Sequence, residues 1–172
     1  ENAVDTKQNA SHPRSRIVIR SCQVYGWRGG VIGTMSAFNI KNHVECLIEN
    51  CVFWDNEICL RLRGGEEKDH GQGGARVTVV NTVFRESDYA IRYEDMIKQL
   101  KIFNCTWGHR VDNPFGFRQG LDRETFELRN CLFLLDELPI EARGFKSNLA
   151  VGEESFANVK GGDFRLVENS PA

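Results

Sequence analysis

Two series of polar residues recur at matched places along this chain. One runs Asp5, Asn39, Arg61, Arg92, Gly116 and Glu141, and the other, two residues further on, runs Lys7, Lys41, Arg63, Glu94, Arg118 and Arg143. Cations gathered this way suit an acidic ligand, and the chemistry they could do is β-elimination on a uronic acid. That reaction needs the carboxylate neutralised, a base to take the adjacent proton and an acid for the leaving oxygen. A Lys or Arg among other cations gives up its own proton more readily and can serve as base. Lys41 is the candidate base, with Arg63 and Arg92 as carboxylate binders. Lys7, Asn39, Arg61, Arg118 and Arg143 are the candidate substrate contacts. Asp5, Glu94 and Asp95 are the oxygen donors that could hold Ca²⁺, the one cofactor this pattern suggests.

Something must hold these residues in line. Each pair sits on a short segment of alternating character, at residues 3–7, 37–41, 59–63, 90–94, 115–118 and 140–143. Alternation with period two predicts strands. A second pattern, apolar-x-apolar-x-Asn-Cys-x-aromatic, recurs at residues 17–24, 46–53, 77–84, 100–107 and 126–133. The spacing between copies, roughly 23 to 31 residues, is that of a solenoid. In this reading the break at Ser21, Asn50, Asn81, Asn104 and Asn130 is a tight bend, because Asn tolerates left-handed backbone. Asn side chains would bond one another from coil to coil. Cys22, Cys51, Thr82, Cys105 and Cys131 would form an inward ladder of small side chains, and Phe53, Phe84, Trp107 and Phe133 an aromatic stack. Two short strands per repeat with no intervening helix favour a parallel β-helix over a leucine-rich repeat.

Stacked strands lie about 4.8 Å apart, and in-register cysteines are poorly aimed for bridging. The six cysteines, with no CxxC pair, therefore read as buried thiols rather than disulfides or zinc ligands. With 172 residues and a net charge of −2, the chain has the size of one domain and no global field toward nucleic acid. It has no apolar run long enough to span a bilayer. Residues 1–143 are assigned to about five to six coils, and residues 144–172 to a C-terminal capping segment of the same domain. Val151, Phe156, Val159, Phe164 and Leu166 are available for that cap.

The residues 1–7, the repeated Asn-Cys-x-Phe bends, residues 91–95 and the closing residues 162–172 together resemble the pectate-lyase-like β-helix superfamily. The resemblance implies a right-handed parallel β-helix, the C-terminal part of a bacterial domain. It also implies an acidic polysaccharide partner and a secreted, extracellular or cell-envelope location, although the opening Glu1-Asn2-Ala3, with no basic or apolar region of the expected kind, predicts no signal peptide in this chain. In lyases of this kind the base is similarly a Lys or Arg on the helix face. The N-terminal end lacks a covering segment, so the rest of a larger chain or another subunit is expected to cover it. The alternative is a non-catalytic structural or adhesive module, for which the charged stripe is only a solvated face.

Overall fold

The computed structural model describes residues 2–31, 35–64, 73–94, 96–117 and 123–172. The body is all-β and consists of three parallel sheets, none closed into a barrel. Sheet A contains, in spatial order, β1 (Asn2–Thr6), β4 (Ser36–Ile40), β7 (Ile58–Leu62), β10 (Ser87–Tyr93) and β13 (Val111–Phe117). Sheet B contains β2 (Ser15–Arg20), β5 (Val44–Glu49), β8 (Arg76–Val80), β11 (Gln99–Phe103) and β14 (Phe126–Arg129). Sheet C contains β3 (Gln23–Tyr25), β6 (Val52–Trp54), β9 (Val83–Arg85), β12 (Thr106–Trp107), β15 (Leu132–Phe133) and β16 (Leu149–Ala150). From β1 to β15 the chain visits A, B and C in turn, and each strand pairs in parallel with the one three places later.

Three strands per pass replace the two expected. The Asn-centred pattern is not one bent strand but two strands in different sheets. The corner between them is where the expected left-handed residues sit: Ser21, Asn50, Asn81, Asn104 and Asn130 have φ of 52°, 55°, 48°, 53° and 53°. Asn is chosen there for backbone tolerance. The side-chain ladder is thinner than expected, with Asn81 Nδ2 donating to Asn50 Oδ1 at 3.3 Å. Backbone bonds carry the corner instead, as in Asn50 N to Val80 O and Asn104 N to Arg129 O, both 3.1 Å. A second corner, between sheets C and A, is also left-handed, at Asp55, Glu86 and Arg110. Behind it the buried Asn56 side chain donates to Val24 O at 3.1 Å and accepts from Trp27 N at 3.2 Å.

The inward ladders form as expected. Phe53, Phe84, Trp107 and Phe133 are fully buried, with successive ring centroids 5.5, 5.4 and 4.4 Å apart. Such pairs contribute about 0.5–1.5 kcal/mol each beyond their burial. All six cysteines are free. Burial pushes the Cys46 and Cys59 thiols up to about 12, so they are inert apolar filler.

Residues 138–172 do two jobs. Leu138, Ala142 and Phe145 pack on the main core, Phe145 edge-on to Phe126 at 5.2 Å, and so cover the end of the stack. Val151, Phe156, Val159 and Phe164 instead form a separate cluster on Leu132 and Leu134. Those two flank the inward Phe133, so the cluster lies on the outer face of sheet C. Leu166 stays exposed. The antiparallel hairpin of β17 (Phe156–Asn158) and β18 (Asp163–Leu166) belongs to this cover. Residues 140–143 form a turn, not the sixth strand of sheet A.

The exposed Asn104 tests the corner. Asn104→Ala should destabilise by about 1–2 kcal/mol in urea unfolding, because Ala resists left-handed backbone, while Asn104→Gly should be nearly neutral. Equal losses in both would show that the amide side chain, not the backbone, holds the corner.

Candidate functional site

The first polar series is aligned by sheet A. Asp5 pairs with Asn39, Asn39 with Arg61, Arg61 with Arg92, and Arg92 with Gly116. Lys41, Arg63 and Glu94 follow directly after their strands, and backbone bonds from Arg63 N to Ile40 O and Glu94 N to Leu62 O extend the ladder past the strand ends. Lys7 is exposed just beyond β1. Arg118 and Asp95 lie outside the described residues. Arg143 is not brought to this face: it sits in the 140–143 turn and donates to Leu138 O at 2.9 Å and Glu137 Oε2 at 2.8 Å.

Three cations converge on Glu94. Arg61 donates to both carboxylate oxygens, through Nε at 2.9 Å and Nη2 at 3.0 Å. Arg92 Nε is 3.3 Å from Oε1 and Arg63 Nε is 3.1 Å from Oε2. The Arg63 contact is an ion pair without hydrogen-bond alignment, since its Nε has no partner by direction. The side chains of Glu94, Arg92 and Arg61 are only 8%, 12% and 16% exposed, while that of Arg63 is 42% exposed. Burial alone pushes the Glu94 carboxyl up, but the Arg61 hydrogen bonds and the charges of Arg61, Arg92 and Arg63 outweigh it and hold the pKa below the usual carboxylate value. Among the described residues, three guanidiniums against one carboxylate leave two positive charges in a partly dry place, where each charge acts strongly. An incoming anion would relieve that repulsion.

The other end of the series is self-contained. Lys41 Nζ lies 2.6 Å from Asp5 Oδ1, and Asp5 Oδ2 also accepts from Asn2 at 3.1 Å. Lys41 is thus occupied as a donor, and Asp5 and Glu94 are occupied by cations rather than gathered around a metal. Among the described residues no group of three or more His, Cys, Asp or Glu side chains could hold an ion. Asn39 is 2% exposed and its Oδ1 has no partner, so it is part of the floor rather than a surface contact.

One site residue escaped the sequence reading. Tyr89 lies over Gly116, where a Cβ would come within 2.8 Å of ring atoms Cδ1 and Cε1. The signal was a lone glycine within a column of polar side chains.

Removing the Glu94 charge should be costly, because it leaves three guanidiniums unopposed. Glu94→Gln should lose on the order of 3 kcal/mol by denaturant unfolding, the scale for breaking a buried pair. The wild-type contribution is present above the unfolded carboxyl value of about 4.3 and is lost as pH falls through the lower folded value. The Gln variant should lack that acid-side loss, and an identical acid profile in both proteins would sink this account.

No protein-family model, no curated protein and no solved structure matches the chain, so its function is read from this geometry.

Proposed function

We propose that the chain is a right-handed parallel β-helix of the pectate-lyase-like kind and that its sheet A face binds an acidic polysaccharide. The solenoid reading is supported by the A-B-C order of strands with every third strand paired, since parallel crossovers are right-handed in nearly all cases. The binding reading is carried by one observation, the surplus of two positive charges among the described residues where Arg61, Arg63 and Arg92 share Glu94. A uronate carboxylate supplies the missing charge, and guanidiniums grip carboxylates with two parallel bonds. Arg63, the most open of the three, is the first contact. The binding role extends to Lys7 and, by its place in the sequence pattern, to Arg118. Ca²⁺, if used, would enter with the ligand's own carboxylates. The location that goes with such a ligand is extracellular or the cell envelope.

Cleavage by β-elimination is the further step of this reading, with Lys41 as base and Arg63 and Arg92 on the carboxylate. The Lys41–Asp5 pair speaks against it, because a base must present a free lone pair. The same self-pairing favours the second reading, a non-catalytic structural or adhesive module. The free edge of β1–β3 fits either role. There Val4, Ile19 and Cys22 are only partly buried around an apolar hollow of about 360 Å³ that includes Val24 and Phe38. Further strands, from a larger chain or another subunit, would complete it.

Titration calorimetry against a panel of uronic-acid polysaccharides, with and without Ca²⁺, tests the reading. Binding should weaken with salt and fall about tenfold in Arg63→Ala, the scale of one charge-assisted contact. Ultraviolet absorbance of an unsaturated product, lost in Lys41→Ala, would add catalysis. No binding across the panel would leave the structural module.

A further inference from the structure

Gly116 has no backbone reason to be glycine. Its φ is not in the left-handed region, unlike Gly26, Gly29 and Gly162. Glycine inside a strand weakens the strand, and where no turn requires it, it marks a close approach. Here the approach is by the Tyr89 ring, which takes the volume of the absent side chain at 2.8 Å from the Cβ position. The same point lies 3.9 Å from Arg92 Cγ. The glycine therefore lets an aromatic ring lie down beside the guanidinium cluster.

The surroundings of that ring are polarised. On one side stands Arg92, with Arg61 and Arg63 around Glu94. On the other, Asp88 precedes Tyr89 in a polar cleft of about 410 Å³ at the corner between sheets C and A, where Asp55, Glu86, Asp88 and Asp112 outnumber Arg28 and Arg110 and Arg28 pairs with Asp55 and Asp88 at 2.9 and 3.1 Å. Ligand classes differ in how they meet such a place. A polyphosphate or nucleic acid carries an anion at every unit and would meet the acid excess of this cleft, Asp112 included, with like charge. An acidic peptide has no rigid apolar face to set on a ring. A uronate has three matching parts: an apolar C–H face for the ring, a carboxylate for the guanidiniums, and hydroxyls that donate to carboxylates.

We infer that Tyr89 is the ring platform of a uronosyl subsite and that Gly116 is the residue that makes room for it. The inference rests on the acidic-polysaccharide reading above. Tyr89 is a positioning and specificity residue: the charge cluster draws the anion, and the platform selects a sugar ring.

The probes are trigalacturonate, tri-glutamate and trithymidylate, each titrated by calorimetry into the full chain at fixed salt. Trigalacturonate affinity should fall about tenfold in Tyr89→Leu and in Gly116→Ala and hold in Tyr89→Phe, the scale of one aromatic contact. Tri-glutamate affinity should not respond to any of the three. In the wild-type protein, sugar C–H protons should move upfield on binding, a ring-current signature that needs no variant to fold. Unchanged trigalacturonate affinity in a folded Tyr89→Leu, or no upfield shift, overturns the platform while a loss in Arg63→Ala keeps the anion site. Tighter, Tyr89-dependent binding of trithymidylate overturns the sugar assignment. Absence of trigalacturonate binding overturns both readings together.

Discussion

In-register parallel pairing is the constraint from which the rest of this structure follows. Each residue in a sheet lies over its counterpart one pass away, so the sequence must solve the same problem five or six times in each column. Inward columns solve it with like on like. Phenylalanine stacks on phenylalanine, and thiols and the Thr82 hydroxyl stack in a neighbouring file, because flat rings and small groups repeat well at strand spacing. Corners solve it with left-handed residues whose amides continue the ladder, so these corners do not interrupt the backbone bonding.

Charge is the hard case, since like on like is repulsive. Sheet B follows the easy solution and alternates sign between neighbours: Arg16 with Glu45, Arg20 with Glu49 at 2.6 Å, and Lys101 with Glu127. Sheet A does not. It places Arg61 directly on Arg92 and leaves the correction to Glu94, two residues along and shared with Arg63. One acid for three bases is an incomplete correction. Departures from an otherwise consistent local rule are where function is expected, because elsewhere the fold had the simpler option and used it.

The same constraint explains what could be read in advance. Anything that repeats with the pass was legible: the Asn corners, the thiol and aromatic files, and the column from Asp5 to Gly116. What does not repeat was hidden. The third sheet was missed because its strands, as short as Thr106–Trp107, look like the tail of the preceding strand. The second corner was missed because Asp55, Glu86 and Arg110 share no residue type. Arg143 was placed on the stripe by local pattern alone, and the pattern continued where the sheet had stopped. The contacts Lys41–Asp5 and Arg61–Glu94 run diagonally between columns, and a column alignment cannot see diagonals. Of the apolar residues expected to cap the last coil, Val151, Phe156, Val159 and Phe164 lie on outer-face Leu132 and Leu134 instead, which look the same in sequence as residues facing the stack end, and Leu166 stays exposed.

Exposed aromatics by themselves would point to another face. Tyr25 and Trp54 lie outward on sheet C, their rings stacked at 4.4 Å, with the Arg85 guanidinium 5.0 Å from the Trp54 centroid. This is again a column of in-register neighbours, with the Trp54 ring meeting both Tyr25 and Arg85. Further along sheet C the hairpin covers the surface, with Phe164 filling the place a side chain at Gly108 would take. Gly108 and Gly116 are thus the same device at two addresses, a glycine emptied for an aromatic ring. At Gly108 the ring comes from the chain's own cover and closes a surface. At Gly116 it comes from the strand next door and lies beside unbalanced charge. The first arrangement completes a core, and only the second leaves chemistry for something outside the chain.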